Sequence, residues 1–232
     1  MQHPKVLAFD IFGTVVDWHG SICQAVRDLK LEVSPSEFAL AWRSLYQPAM
    51  AKVRQGQIAW TSIDVLHRQN LDQILDRFNI RHLSEAQKVD LNLVWHRLKP
   101  WPDAVEGLQR LRKGMMICTL SNGNLALLAN MAKSAALPWD LILSAETYKH
   151  YKPDPESYQG LCKTWDIEGA SLLFVAAHKS DLDAAQAATG CQTAFIVRPD
   201  EFGPETQENL SREARFTYHA EGFIDLAEQL GL

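Results

Sequence analysis

Val6-Leu7-Ala8-Phe9-Asp10-Ile11-Phe12-Gly13-Thr14 runs four apolar or small residues into a lone carboxylate and then into a Gly-Thr turn. A short apolar run bounded by a turn signal reads as a buried strand of a parallel sheet. Asp10 then stands at that strand's carboxyl end, where open α/β sheets place their ligands. A carboxylate among such neighbours costs free energy unless it is paired or used. Taken alone, the same residues suit a helix-capping aspartate in a tight turn equally well. The choice rests on what surrounds them.

Downstream of Thr14 the periodicity turns helical. Ile22, Ala25, Val26 and Leu29 recur at three- and four-residue steps. A second helical stretch carries Phe38, Trp42 and Leu45, and Pro48 is expected to end or kink it. A third starts near Ser62 and carries Ile63, Leu66, Ile74, Leu75 and Phe78. Ser84 and Gln87 form a capping-box start for a fourth, with Leu91, Val94 and Leu98. Four successive helices without a strand predict a compact helical unit over residues 16–98. Lys99-Pro100-Trp101-Pro102 is a stiff break suited to a hinge.

Past that break strands and helices alternate. A helix over Pro102–Lys113 precedes the strand candidate Met115–Leu120, which ends in Ser121-Asn122-Gly123-Asn124. A helix bearing Leu127, Leu128 and Met131 follows, and Leu141-Ile142-Leu143 reads as a short third strand. Asp154-Pro155 marks a helix start. Leu172–Ala177 is a fourth strand, followed by a helix that Gly190 terminates; Thr193–Val197 is a fifth, and an amphipathic helix closes the chain over Phe223–Leu230. The expectation is an α/β fold, a doubly wound parallel sheet built from residues 1–15 and 99–232, with the helical unit inserted after its first strand.

Composition narrows the class. At 232 residues, with 47% hydrophobic and 22% charged residues, the chain has the make-up of an ordinary soluble globular protein. A net charge of −5, with no basic run, argues against nucleic acid as a partner. No apolar stretch is long enough to span a bilayer, and Met1-Gln2-His3-Pro4 lacks a signal-peptide shape. Cys23, Cys118, Cys162 and Cys191 are scattered without metal-ligand spacing, which fits reduced thiols in a cytoplasm.

Polar residues cluster at the predicted strand ends: Asp10, then Ser121 and Asn122, then His178 and Asp181. Lys152 joins them from the loop before a helix. Singly these are good turn, cap or surface residues. A doubly wound sheet brings all such ends to one crevice. Jointly they put two carboxylates, a hydroxyl, an amide and an ammonium in one pocket. Trp42, Tyr46 and Trp60 in the helical unit could line that pocket, although aromatics at helical spacing more often pack a core.

The same residues carry a family resemblance over nearly the whole chain. Asp10-x-x-Gly13-Thr14, Leu120-Ser121-Asn122-Gly123, Tyr151-Lys152-Pro153-Asp154 and Phe174 to Asp181 resemble the motifs of the haloacid dehalogenase superfamily, and within it the type II L-2-haloacid dehalogenases. The resemblance makes the helical unit a cap domain and Asp10 a nucleophile. It places Tyr158 as a pocket tyrosine and Arg43 as the cap's substrate- and halide-binding arginine. Phe12, Thr14, Asn122 and His178 join them on the substrate and halide side.

Phosphatases of the superfamily resemble Asp-x-Asp, whose second aspartate protonates an alkoxide leaving group. This chain has Phe12 there, which cannot move a proton. A halide needs no such help. The acid that phosphatases place at the end of the fourth strand to hold Mg²⁺ aligns with Ala177. No metal or cofactor is therefore expected. The alternative is a phosphatase acting on a small metabolite. The expected chemistry is attack by Asp10 on the halogen-bearing carbon of a 2-haloalkanoate, with inversion, giving an ester. Asn122 and Arg43 donate to the halide, Ser121 and Lys152 position carboxylate oxygens, and Lys152 keeps Asp10 ionised. Water activated by Asp181 then hydrolyses the ester. Where family members commonly show Ser-Ser-Asn, this chain has Ala176-Ala177-His178, so His178 supplies the asparagine's donor, a second base, or only a hydrogen-bonding cap at the strand end. The apolar stripes of the helical unit would also permit a homodimer.

Overall fold

The structure is a computed structural model that describes residues 3–206 and 209–232. Met1 and Gln2, at the start of the segment read for a signal peptide, lie outside the described residues. In chain order, β1 (Val6–Phe9) is followed by β2 (Val16–Asp17) and five helices: α1 (Trp18–Asp28), α2 (Pro35–Ser44), α3 (Tyr46–Arg54), α4 (Ile63–Arg77) and α5 (Glu85–Asn92). A 3-10 turn over Leu93–Arg97 leads into β3 (Lys99–Pro100). The second half runs α6 (Ala104–Gly114), β4 (Met116–Thr119), α7 (Leu125–Ser134), α8 (Ala145–Tyr148) and α9 (Pro155–Trp165). It finishes with β5 (Leu172–Ala176), α10 (Lys179–Thr189), β6 (Gln192–Ile196), β7 (Tyr218–Ala220) and α11 (Phe223–Gln229).

The main sheet is wholly parallel in the order β4-β1-β5-β6-β7, so the strand that delivers Asp10 lies inside it. Because strand side chains alternate between faces, β1 serves two cores. Leu7 and Phe9 pack with Leu108, Leu111, Phe223 and Leu226 on one face. Val6 and Ala8 pack with Tyr158, Leu161, Leu182 and Ala185 on the other. A strand buried on both sides must be apolar throughout, which is why its sequence shows a continuous run rather than alternation.

The helical insertion leaves and rejoins the sheet at one place. Val16 pairs with Pro100 and Asp17 with Lys99 in a two-stranded antiparallel ribbon. Lys99-Pro100, expected as a free hinge, is thus tied to the other crossing. Asp17 also caps α1, its Oδ1 accepting the Gly20 amide at 2.7 Å. The Ser84–Gln87 capping box forms as predicted.

Three local expectations differ. Pro48 lies in the first turn of α3, where a missing N–H costs nothing, and the bend between α2 and α3 falls at Leu45. Leu141–Leu143 makes only isolated bridges beside β4, because the Thr119 hydroxyl donates to Leu143 O (2.7 Å) and accepts from Leu143 N (3.0 Å) in place of a continuous ladder. Asp181 sits inside the first turn of α10, whose N-cap is His178.

Candidate active site

A cavity of about 650 Å³ opens at the carboxyl end of the sheet and is roofed by the helical insertion. Asp10, Phe12, Asn122, Lys152, His178 and Asp181 line it from the sheet side. Leu40, Arg43, Tyr46 and Arg54 line it from α2 and α3.

Asp10 is 6% exposed, and both of its carboxylate oxygens are engaged. Lys152 Nζ donates to Oδ1 at 2.8 Å. Oδ2 accepts from Thr14 Oγ1 at 2.8 Å and lies 3.1 Å from His178 Nδ1. Burial alone would raise this carboxyl's pKa; the charges of Lys152 and His178 outweigh it and hold Asp10 far below the ordinary carboxylate range. The group is therefore held as a carboxylate. Thr14 is itself fixed, its Oγ1 accepting the Ala177 amide at 2.9 Å.

Lys152 bridges the two carboxylates, with Nζ 2.5 Å from Asp181 Oδ2. Its burial opposes the charge, but Asp10 and Asp181 together push its pKa above that of a free lysine. Asp181 accepts a second, short hydrogen bond from the Tyr158 hydroxyl. Asn122 grips the lysine's backbone: its Oδ1 accepts Lys152 N at 2.8 Å, which sets where the ammonium emerges.

Across the cavity Arg43 lays its guanidinium over the Tyr46 ring, 4.2 Å from the centroid. Its Nη1 is buried and has no hydrogen-bond partner. A buried, charged donor without a partner is costly. Arg43 nevertheless lines the cavity and puts a positive charge beside whatever occupies it. Phe12, packed edge-on against Trp95 and Tyr46, supplies an apolar wall between Asp10 and the insertion.

Asp10, Phe12, Arg43, Asn122, Lys152, His178 and Asp181 therefore converge on one cavity. Three predicted site residues stand behind it. Thr14 supports Asp10, Tyr158 supports Asp181, and Ser121 is fully buried with its Oγ accepting the Gly123 amide at 3.1 Å. Of the aromatics weighed for the pocket, Tyr46 lines it; Trp42 packs in the core, and Trp60 stacks on Tyr151 at 4.7 Å.

Sequence reading missed three residues. Arg54 reaches the cavity from α3 and pairs with Asp154 at 2.7 Å. Arg198 donates from Nε to Thr14 O at 2.9 Å and pairs with Asp103, fixing the loop that carries Thr14. Glu201, 1% exposed, lies 2.8 Å from His178 Nε2 through its Oε1. Arg198 and Glu201 both follow β6, so the strand-end rule that found Asp10 and Asn122, carried one strand further, points at them.

A family model described as haloacid dehalogenase-like hydrolase matches residues 4–189. The chain belongs to this family. The (S)-2-haloacid dehalogenase 4A of Burkholderia cepacia is 29% identical over 191 residues, 78% of either chain. A solved L-2-haloacid dehalogenase superposes with a TM-score of 0.93 at 41% identity, over 98% of this chain and 99% of that one. A solved defluorinating L-2-haloacid dehalogenase gives 0.95 at 39% identity, over 99% and 96%. A phosphatase is also among the relatives: the phosphoglycolate phosphatase of Haemophilus influenzae is 24% identical over 200 residues, 83% of this chain and 85% of that one. Within the family, Phe12 stands where the Asp-x-Asp phosphatase pattern has its second aspartate.

Proposed function

We propose that the protein is a hydrolytic 2-haloacid dehalogenase that displaces halide from small 2-haloalkanoic acids through an ester on Asp10. One observation carries the reading. An ionised, buried Asp10 shares a cavity with the cationic side chain of Arg43 and with an apolar wall at Phe12. That arrangement suits a small monoanion with a reactive carbon and a departing anion. The haloacid dehalogenase names of the most similar relatives support the same chemistry.

Asp10 attacks the halogen-bearing carbon from the face opposite the halogen, forming a carbon–oxygen bond as the halide leaves with the bonding pair. Arg43 and Asn122 are placed to donate to the departing halide. Asp181, held by Lys152 and Tyr158, takes a proton from water, and the resulting hydroxide adds to Asp10 Cγ. Breaking the Cγ–O bond releases the 2-hydroxy acid, so the substrate carbon inverts once. Residues 16–98 act in this scheme as a cap over a core of 1–15 and 99–232. We place the enzyme in the cytoplasm, and the cap's apolar stripes would serve a homodimer.

A metal has poor purchase here. Both Asp10 oxygens are already held by Lys152, Thr14 and His178, and Ala177 offers no ligand. Among the described residues no group of three acids, histidines or cysteines is arranged to hold an ion. Phosphoryl transfer would also lack a leaving-group acid at Phe12.

The test is halide release from chloro-, bromo- and fluoroacetate and from each enantiomer of 2-chloropropionate in EDTA, comparing wild type with Asp10→Asn. Release that survives EDTA, inverts configuration and vanishes in the variant is expected. Mg²⁺-dependent phosphate release with no halide would overturn the reading in favour of a phosphatase.

A further inference from the structure

His178 stands between two carboxylates, with Nδ1 3.1 Å from Asp10 Oδ2 and Nε2 2.8 Å from Glu201 Oε1. Ionised carboxylates only accept hydrogen bonds, so satisfying both requires an N–H on each ring nitrogen. Glu201 is almost fully enclosed. Its Oε1 also accepts Trp18 Nε1 at 3.1 Å, while its Oε2 has no partner. Among the described residues His178 is the ring bonded to this buried carboxylate, with Arg198 acting on it through space. The chain makes deliberate room for the pair: Gly13 adopts φ +86°, and a Cβ there would come within 2.1 Å of Glu201 Oε1.

Resting on the dehalogenase reading, we propose that Glu201 and His178 form a fixed-charge donor for the carbonyl oxygen of Asp10 while the covalent ester is hydrolysed. His178 touches the oxygen, and Glu201 is a positioning residue behind it. The two Asp10 oxygens divide the labour. Oδ2 already accepts from Thr14 and His178, so its lone pairs are the less available. Oδ1, bonded by Lys152 alone, is the attacking atom and becomes the ester oxygen. When water adds to Cγ and gives its proton to Asp181, the Cγ–Oδ2 π pair moves onto Oδ2. The new oxyanion lies against Thr14 Oγ1–H and the imidazolium Nδ1–H. Collapse restores the carbonyl and breaks Cγ–Oδ1; the departing alkoxide takes a proton from Lys152, which Asp181 returns, and the second water proton, left on the Asp10 carboxyl, passes to solvent and restores the carboxylate.

The pair also accounts for the change from asparagine. Asn Nδ2 and His Nδ1 are both one bond from Cγ, so each can aim a donor at Oδ2 from the same backbone position. The amide is neutral and needs no carboxylate behind it; the imidazole needs one to stay charged and oriented. Glu201 should therefore matter only when residue 178 is histidine.

The experiment is rapid-quench halide release and intact-mass measurement on chloroacetate, for wild type, Glu201→Gln, His178→Asn and the double variant. Glu201→Gln is expected to slow ester hydrolysis about 10- to 100-fold with alkylation less affected, a fraction of the effect of removing an oxyanion donor outright. A halide burst of one equivalent per enzyme then precedes slow turnover, and the Asp10 adduct accumulates. In the His178→Asn background the same change at Glu201 should have no further effect. Equal losses in both backgrounds, or slowed turnover without adduct, would reduce Glu201 to a structural role and overturn the proposal. If Glu201→Gln does not fold, Glu201→Asp, which keeps the charge but shortens the reach, is read the same way. Wild type that releases no halide at all would instead sink the dehalogenase reading itself.

Discussion

Arg54 on α3 and Asp154 at the head of α9 meet at 2.7 Å, joining the helical insertion to the sheet half at the rim of the cavity. Asp154 makes no side-chain cap for its own helix and spends its carboxylate on this pair instead. Both side chains are partly exposed, so the pair adds at most about 1 kcal/mol to stability. Its larger effect should be on entry, because Arg54 lends positive charge to an opening that must admit an anion. Arg54→Ala is expected to raise KM for chloroacetate by roughly 5-fold, the equivalent of about 1 kcal/mol, with kcat little changed. Steady-state halide assays at low and high salt check it, and the wild-type advantage should shrink in high salt.

Lys152 lies between two carboxylates that would otherwise face each other in a buried site. Lys152→Met should abolish halide release and destabilise the fold by about 3–5 kcal/mol at neutral pH. The sign of the pH dependence follows from Asp10. Its folded-state pKa is depressed, so its stabilising contribution is present above the unfolded value and is lost as pH falls through the folded one. The variant lacks the principal cation causing that depression. The gap in unfolding free energy between the two proteins should therefore narrow only below the ordinary carboxylate value of 3.8, as denaturant melts at pH 5 and pH 3 will show.

His67 on α4 is buried against Trp95, ring centroids 4.1 Å apart, and neither ring nitrogen has a hydrogen-bond partner. Burial, reinforced by the nearby charge of Arg43, pushes its pKa down to about 3. Below the ordinary histidine value of 6.5 the unfolded chain binds a proton that the folded chain does not. Stability should fall by up to about 1.4 kcal/mol per pH unit as pH drops from there toward the folded value. His67→Phe keeps the ring contacts and removes the titration. Its stability relative to wild type should improve between pH 7 and pH 5, by at most about 2 kcal/mol; a flat difference would contradict this account.

The sequence makes the sheet legible wherever strands are mostly buried. Val6–Phe9, Met116–Thr119 and Leu172–Ala176 are apolar runs with turn signals at their carboxyl ends. It is mute about β2, β3 and β7, whose two or three residues are too few to show a period and whose pairing is fixed by tertiary contact. The cavity residues were legible because strand ends converge. Arg43 was reached through the family resemblance, its only nearby sequence signal being a helix. Ser121 shows the limit of that logic: it has the right place in the chain, yet its hydroxyl turns inward to Gly123. Glu201 shows the converse, an acid in a turn that becomes informative only when His178 and Trp18 are seen to close on it.

The ribbon formed by β2 and β3 brings the two ends of the insertion side by side. Asp10, Lys152, Asp181, His178 and Glu201 all belong to the segments outside it, whereas Arg43, Tyr46 and Arg54 belong to the segment within. The polar groups around Asp10 and the roof of the cavity are thereby written in separable passages of one chain. Drift in the helical passage can reshape the cavity's roof while the buried charges beneath it are inherited intact, and a different roof could be spliced onto the same four-residue seam.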